Sequence, residues 1–380
     1  MQVNQNVAKI QYSLIRVLNE EAKKYDNSIN LTIGEPDLST EKGIVEDACQ
    51  YAMTHKLSYP PTGGGVELRG IIADYYNKKY GCSYVADNVV MNIGASEAIS
   101  SCFKTLLNIG DEVIIFKPYY PGYLPMITMT YAKPVFVDTS KTNFTITPEL
   151  LAQYVTDKTK VILICNPSNP SGNVMSREEI EKIVDYVADK DIFILADEIY
   201  NELSFVDFTS FASFPKIKDK LIIVNGFSKS HSMTGWRVGY TIFPLEYRKL
   251  FVNATLFTLG SPVAVSLAAA ESAITKYSDR SHVRKIYQER AEYLYKRLID
   301  LGFEVVKPKG AFYLFVKYTM FSDLDSFEFT MDVLKEVQVA LVPGISFGNE
   351  GYFRISLIAD IPTLGETADR LKKYLDNHKK

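Results

Sequence analysis

Residues 221–239 read Leu221-Ile222-Ile223-Val224-Asn225-Gly226-Phe227-Ser228-Lys229-Ser230-His231-Ser232-Met233-Thr234-Gly235-Trp236-Arg237-Val238-Gly239. Four aliphatic residues run directly into a loop of small and polar ones. A short apolar run without polar alternation is the pattern of a strand buried on both faces. Lys229 therefore sits just past a strand's carboxyl end, not on a charged helical face. A lone loop lysine is most often a solvated surface charge. Here the only Trp of the chain, Trp236, follows seven residues later beside Arg237, and glycines flank the pair. That grouping argues for a packed site.

Working outward, the same strand pattern recurs at Glu112 to Phe116, Val161 to Cys165 and Asp191 to Ala196. Helical stretches separate these runs. Ser96 to Leu107 has helical spacing of apolar residues. Thr147-Pro148 supplies an N-cap and a first-position proline for a helix around Leu150 to Tyr154. Ser176 to Glu179 reads as a capping box before a helix through Val187. Strands alternating with helices imply an α/β fold with a mainly parallel sheet covered on both faces. In such sheets, sites form beyond the carboxyl ends of the strands. After Ser261 the texture changes. Val263 to Leu301 reads as long helical sequence that bridges two parts. Strand-like Phe303 to Val306 and Ala311 to Val316, a helix near Phe327 to Val337, a strand Tyr352 to Ile358 and a closing helix from Leu364 to Tyr374 complete a smaller α+β unit. The expected division is an N-terminal arm over 1–40 joining the small domain, a large domain over 41–275 and a small domain over 276–380.

With 380 residues, 47% of them hydrophobic and 23% charged, the chain can bury a large core. Lys plus Arg number 42 against 45 Asp plus Glu, so no basic excess points to nucleic acid. Residues 1–25 hold no apolar run of signal-peptide length, and Pro262 to Ala270 is far too short to span a bilayer. The expectation is a cytoplasmic protein without membrane attachment. Cys49, Cys82, Cys102 and Cys165 are widely spaced, with no C-x-x-C pair. This argues against a structural metal site and fits a reducing compartment.

Three other strand ends carry polar chemistry. Asp197 follows Ile194-Leu195-Ala196, and taken alone it reads as a helix cap. Asn166-Pro167-Ser168-Asn169-Pro170-Ser171-Gly172 reads as a rigid turn. Asn92-Ile93-Gly94-Ala95-Ser96 joins a strand to a helix, and small residues at a helix start leave N–H groups open to an anion. Gly63-Gly64-Gly65 lacks the Walker spacing and reads as a flexible turn. His231 reads as loop spacing, and Lys285 to Arg297 as a solvated helix face.

Together these segments resemble the class I/II aminotransferases, pyridoxal-phosphate enzymes of fold type I. The resemblance runs from Ile33-Gly34-Glu35-Pro36-Asp37 to Phe353-Arg354-Ile355-Ser356. Its most specific part is Ser228 to Tyr240. N-P-S-N-P-S-G and A-D-E-I-Y fall in the family's order. Within the family, T-G-W-R after S-K-S-H-S looks closest to bacterial aromatic and aspartate-type aminotransferases, and it also occurs in N-acetyl-diaminopimelate aminotransferases. The resemblance implies a homodimer with pyridoxal 5'-phosphate as cofactor, an L-amino acid and a 2-oxo acid as substrates, and a pyridoxamine phosphate intermediate.

The residue roles follow the same way. Lys229 matches the lysine that forms a Schiff base with the cofactor aldehyde and, once freed, shuttles a proton. Asp197 matches the partner of the pyridine nitrogen. Tyr200 and Asn169 match the residues at the phenolic oxygen, and Tyr120 matches the aromatic stacked on the ring. Gly94, Ala95, Ser96 and Arg237 match the phosphate site. Tyr59 matches a phosphate-contacting tyrosine donated by the neighbouring subunit. Arg354 matches the arginine on the substrate α-carboxylate, with Asn169 and Gly34 beside the substrate. Gly226 departs from relatives that carry Ser three residues before the lysine, so one phosphate contact is missing or supplied by another group. Lys309 to Tyr313 also resembles a family segment and serves here as fold evidence only.

The leading function is a transaminase of aromatic or broad specificity. Two other readings rank lower. A cysteine-S-conjugate β-lyase would use the same cofactor, but such relatives vary the lysine loop. A non-enzymatic sensing domain would carry a DNA-binding segment ahead of the match.

Overall fold

The computed structural model describes residues 1–378. Its strands are β1 (Ile29–Asn30), β2 (Val89–Asn92), β3 (Glu112–Lys117), β4 (Lys133–Asp138), β5 (Thr159–Cys165), β6 (Phe193–Asp197), β7 (Leu221–Gly226), β8 (Gly239–Ile242), β9 (Glu304–Val305), β10 (Tyr313–Lys317), β11 (Val339–Ala340), β12 (Val342–Pro343) and β13 (Tyr352–Ser356). Seven of them form the large sheet in the order β2-β8-β7-β6-β5-β3-β4. β8 runs antiparallel to both neighbours, and β7, β6, β5, β3 and β4 are mutually parallel. The α/β reading of the sequence holds.

Both faces of this sheet are covered, because alternate residues of each strand point to opposite sides. Ile114, Ile162, Ile164 and Ile194 pack on one side among residues of the helices Lys42–Thr54, Val66–Tyr80, Arg177–Val187 and Ala264–Lys276. Val113, Ile115, Val161, Leu163 and Leu195 pack on the other among those of Ala95–Leu106, Tyr123–Met129 and Arg248–Leu259. The capping box forms as the residues dictate: Ser176 Oγ accepts from Glu179 N and Glu179 accepts from Ser176 N.

A four-stranded antiparallel sheet, β12-β13-β10-β9, builds the second core with the helices Ser281–Asp300, Ser326–Val337 and Ile361–Asn377. Ile199, Tyr200 and Leu203, just past β6, pack into this core. The carboxyl edge of the large sheet is thus pinned to the small one. Near the N-terminus, Leu18 and Ala22 pack against Leu334 and Ala340, and Ile15 against the Phe315, Val342 and Phe347 cluster.

The long helix read over Val263 to Leu301 is a correction. The structure breaks it into Ala264–Lys276 and Ser281–Asp300. Asp279 Oδ1 accepts from Ser281 N at 2.9 Å, which satisfies the first free N–H of a new helix. The Arg280 side chain turns inward, and its Nε donates to Ser230 O at 3.0 Å. Apolar periodicity continues across the break, so the pattern alone does not reveal it. Among the described residues no helix is long and apolar enough to cross a membrane.

Candidate active site

The carboxyl ends of β2, β3, β5, β6 and β7 lie along one edge of the large sheet. Their loops converge with Gly34, Tyr313 and Arg354 around a cavity of about 460 Å³. That volume suits a small cofactor and substrate. Ala95, Ser96, Tyr120, Asn169, Asp197, Tyr200, Lys229 and Arg237 line it as well. Gly94 borders it through Arg237: a Cβ on Gly94 would lie 2.7 Å from Arg237 Nη2. Of the residues singled out in the sequence, Tyr59 stands apart. It is 95% exposed and lines a separate cleft between the helices Lys42–Thr54 and Ala264–Lys276.

Lys229 Nζ donates to the Gly34 carbonyl at 2.6 Å. Burial, followed by the nearby Arg354 charge, lowers its pKa to about 8. Near neutral pH a meaningful fraction of the amine is therefore uncharged and nucleophilic. Asp197, the last residue of β6, accepts from the Tyr123 hydroxyl at 2.6 Å and from Ile199 N at 3.2 Å. Burial pushes its pKa up, and the Tyr123 bond, the Ile199 amide and Lys229 oppose that.

Arg354 lies in the interior of β13 and is 2% exposed. Nη1 donates to Asn169 Oδ1 at 3.1 Å and Nη2 to Thr32 O at 2.7 Å. Its guanidinium lies 4.4 Å from the ring centre of Tyr313 and 5.0 Å from that of Phe347. Arg237 adopts φ 51°, a left-handed position that is costly for a residue with a Cβ. Its Nη1 and Nη2 donate to Thr234 O and Ile93 O. That brings a guanidinium to the start of the helix Ala95–Leu106, where the backbone N–H groups also favour an anion. Gly226 has a steric reason. A Cβ there would lie 2.9 Å from Gly239 Cα and 3.0 Å from Val238 O, so a serine would force β8 away from β7.

The structure places further residues in the site. Tyr123 orients Asp197, and its ring meets Tyr120 edge-on at 5.3 Å. In sequence it reads as one of three neighbouring tyrosines, and nothing in the pattern separates it from Tyr119, which instead packs on Phe136 at 5.6 Å. Ser228 and Thr234 line the cavity, and so do Ile15 and Arg16, in the N-terminal arm that the family resemblance places over the site. Only the chain's return over the sheet edge brings these together.

The family model described as "Aminotransferase class I and II" matches residues 26–371. The chain belongs to the class I and II aminotransferases. A Bacillus subtilis (strain 168) protein named "Probable N-acetyl-LL-diaminopimelate aminotransferase" is 38% identical over 377 residues, 98% of this chain and 95% of that one. "Aromatic-amino-acid aminotransferase 2" of Thermococcus litoralis is 34% identical over the full length of both. The crystal structure of an aspartate aminotransferase from Thermotoga maritima superposes with a TM-score of 0.94 at 35% identity, covering 98% of this chain and 100% of that one. This aminotransferase is accordingly an enzyme of a pyridoxal-phosphate-dependent family.

The charges left open in the cavity test the fit to that cofactor. Among the described residues, Asp197 has no cation in salt-bridge contact, and neither Arg237 nor Arg354 has an anion. Asp197 and Arg354 are buried, and buried charges are normally paired, whereas Arg237 is exposed and open to an anion from solvent. A pyridinium beside Asp197, a phosphate between Arg237 and the helix start, and a carboxylate on Arg354 would meet all three.

Proposed function

We propose that this aminotransferase binds pyridoxal phosphate through the residues above and moves the amino group of an L-amino acid with an aromatic or neutral side chain to a 2-oxo acid. The carrying observation is one cavity that joins a desolvated lysine amine to a buried carboxylate without a cation and two arginines without anions. Bound pyridoxal phosphate supplies an aldehyde that accepts the amino group and a ring that withdraws electrons from the substrate α-carbon. Asp197 holds a proton on the pyridine nitrogen. Tyr120 covers one ring face. Tyr200 and the amide nitrogen of Asn169, whose Oδ1 is taken by Arg354, donate to the phenolic oxygen. Gly94, Ala95, Ser96 and Arg237 bind the phosphate. Arg354 grips the substrate carboxylate and sets its plane, while Gly34 allows close approach. The Lys229 amine moves the proton to and from the α-carbon.

Ile15 and Ile33 line the cavity without a role toward the cofactor, and an apolar wall there favours an apolar or aromatic side chain. One observation favours a second reading. Arg16 also lines the cavity, and a second cation there suits an acidic side chain. A half-reaction screen separates the two. The protein is loaded with pyridoxal phosphate, single amino acids are added without a 2-oxo acid, and absorption is followed. The expected result is stable conversion to the pyridoxamine form, with phenylalanine and tyrosine ahead of aspartate. Aspartate far ahead of both would overturn the aromatic assignment. The same reading makes the enzyme a homodimer whose exposed Tyr59 reaches the partner's phosphate site. A monomer at micromolar concentration in sedimentation would break that part.

A further inference from the structure

Tyr313 is the first residue of β10, opposite Ser356 of β13. In sequence it is one more aromatic in the apolar run Tyr313-Leu314-Phe315-Val316, and its ring is fully buried in the small-domain core. Its two ends nevertheless touch both halves of the cavity. The hydroxyl lies 2.9 Å from the Tyr200 hydroxyl. The ring face lies 4.4 Å from the Arg354 guanidinium. A Cβ on Gly34 would come within 3.0 Å of the same hydroxyl, so Tyr313 also abuts the backbone that receives Lys229.

We propose that Tyr313 is a positioning residue of the transaminase site, its hydroxyl donating to Tyr200 and its ring holding the plane of Arg354. The direction of the bond follows from the surroundings. A cation on the ring face makes Tyr313 the more acidic phenol of the two, and hence the better donor. Burial still keeps its pKa up at about 12, so it retains its proton at neutral pH. With Tyr313 donating, the single proton of Tyr200 is left for an acceptor in the cavity. Hydrogen bonds in such a chain strengthen one another, so loss of the Tyr313 hydroxyl weakens what Tyr200 offers. The ring acts separately: it is one of the two aromatic faces on Arg354, whose Nε has no partner.

This inference rests on the assignment of Tyr200 to the phenolic oxygen of pyridoxal phosphate, and the test keeps the two apart. A donor at that oxygen stabilises its anion, which lowers the pH at which the chromophore of the loaded protein gives up its proton. The absorption of the loaded protein is titrated against pH for the parent, Tyr200→Phe and Tyr313→Phe. Tyr200→Phe should move the midpoint upward by about one unit or more. Tyr313→Phe should move it the same way by about half a unit, with KM for amino acids within about twofold of the parent, because the ring remains. Tyr313→Leu removes the ring as well and should raise KM for every amino acid about tenfold. A midpoint that moves in Tyr200→Phe but stays at the parent value in Tyr313→Phe overturns the hydroxyl role, leaving a purely structural bond. An unchanged KM in folded Tyr313→Leu overturns the ring role. If the leucine variant does not fold, Tyr313→Met with its flexible side chain takes its place, read in the same way. An unmoved midpoint in Tyr200→Phe overturns the Tyr200 assignment first, and this inference with it.

Discussion

Lys229 and Arg354 are two cations lining one cavity, both beside Gly34, and the fold treats them in contrary ways. Lys229 sits in a loop beyond β7 and makes one hydrogen bond, to Gly34 O. Arg354 sits inside β13, with two hydrogen bonds and two aromatic faces around it. Burial pushes both pKa values down. The amine starts low enough to reach about 8 and become a proton carrier. The guanidinium starts too high to lose its charge and stays a fixed anchor. The lesson is that desolvation yields a base or an anchor according to the group it acts on. The number of contacts then decides whether that group can move.

Exchanging the chemistry of the two cations gives the largest expected effects. Lys229→Arg keeps a cation in the loop but removes the amine, and turnover should fall at least about a thousandfold. Near-parent turnover at an unchanged melting temperature would remove Lys229 from the proton path. The converse change, Arg354→Lys, keeps the charge but loses the planar fork. It should raise KM for every amino acid about a hundredfold, with a smaller fall in kcat. An effect confined to one side-chain class would mean that Arg354 reads the side chain instead.

A smaller effect sharpens the contrast through stability. The unfolded amine has a pKa near 10.5 and the folded one about 8. Between these values the unfolded chain binds the extra proton, so stability from this group rises with pH across that window. Below pH 8 the cofactor-free protein carries the full cost of a buried charge. Cofactor-free Lys229→Met should therefore melt a few degrees above the parent at pH 7, with the gap closing by about pH 10.5. A gap independent of pH would show that the amine titrates normally.

Much of this is legible in the sequence. The strand runs at 112–116, 161–165 and 221–224 are apolar without alternation, and each proved to be a buried strand of the parallel sheet. Lys229, Asp197 and Asn169 stand at strand ends, where punctuation by Gly, Pro and Asn marks the loops. Arg354 was harder. It is an interior strand residue between Phe353 and Ile355, and only the family resemblance singled it out. Tyr123 and Tyr313 were not legible as site residues, because a tyrosine that fills a core and one that aims its hydroxyl at a carboxylate or a phenol have the same local pattern. The helix break at 277–280 escaped for a similar reason. It depends on Arg280 reaching Ser230, fifty residues away in sequence.

The residue pattern fixed the main strand runs, the parallel sheet they build and the loops that carry reactive groups, because periodicity and turn chemistry act over a few residues. Tertiary structure alone decided which phenol meets which carboxylate and how far each buried charge is shifted. It also decided that Tyr59 points away from the cavity of its own chain. Those outcomes depend on burial and on contacts between segments up to 322 residues apart, as between Arg354 and Thr32.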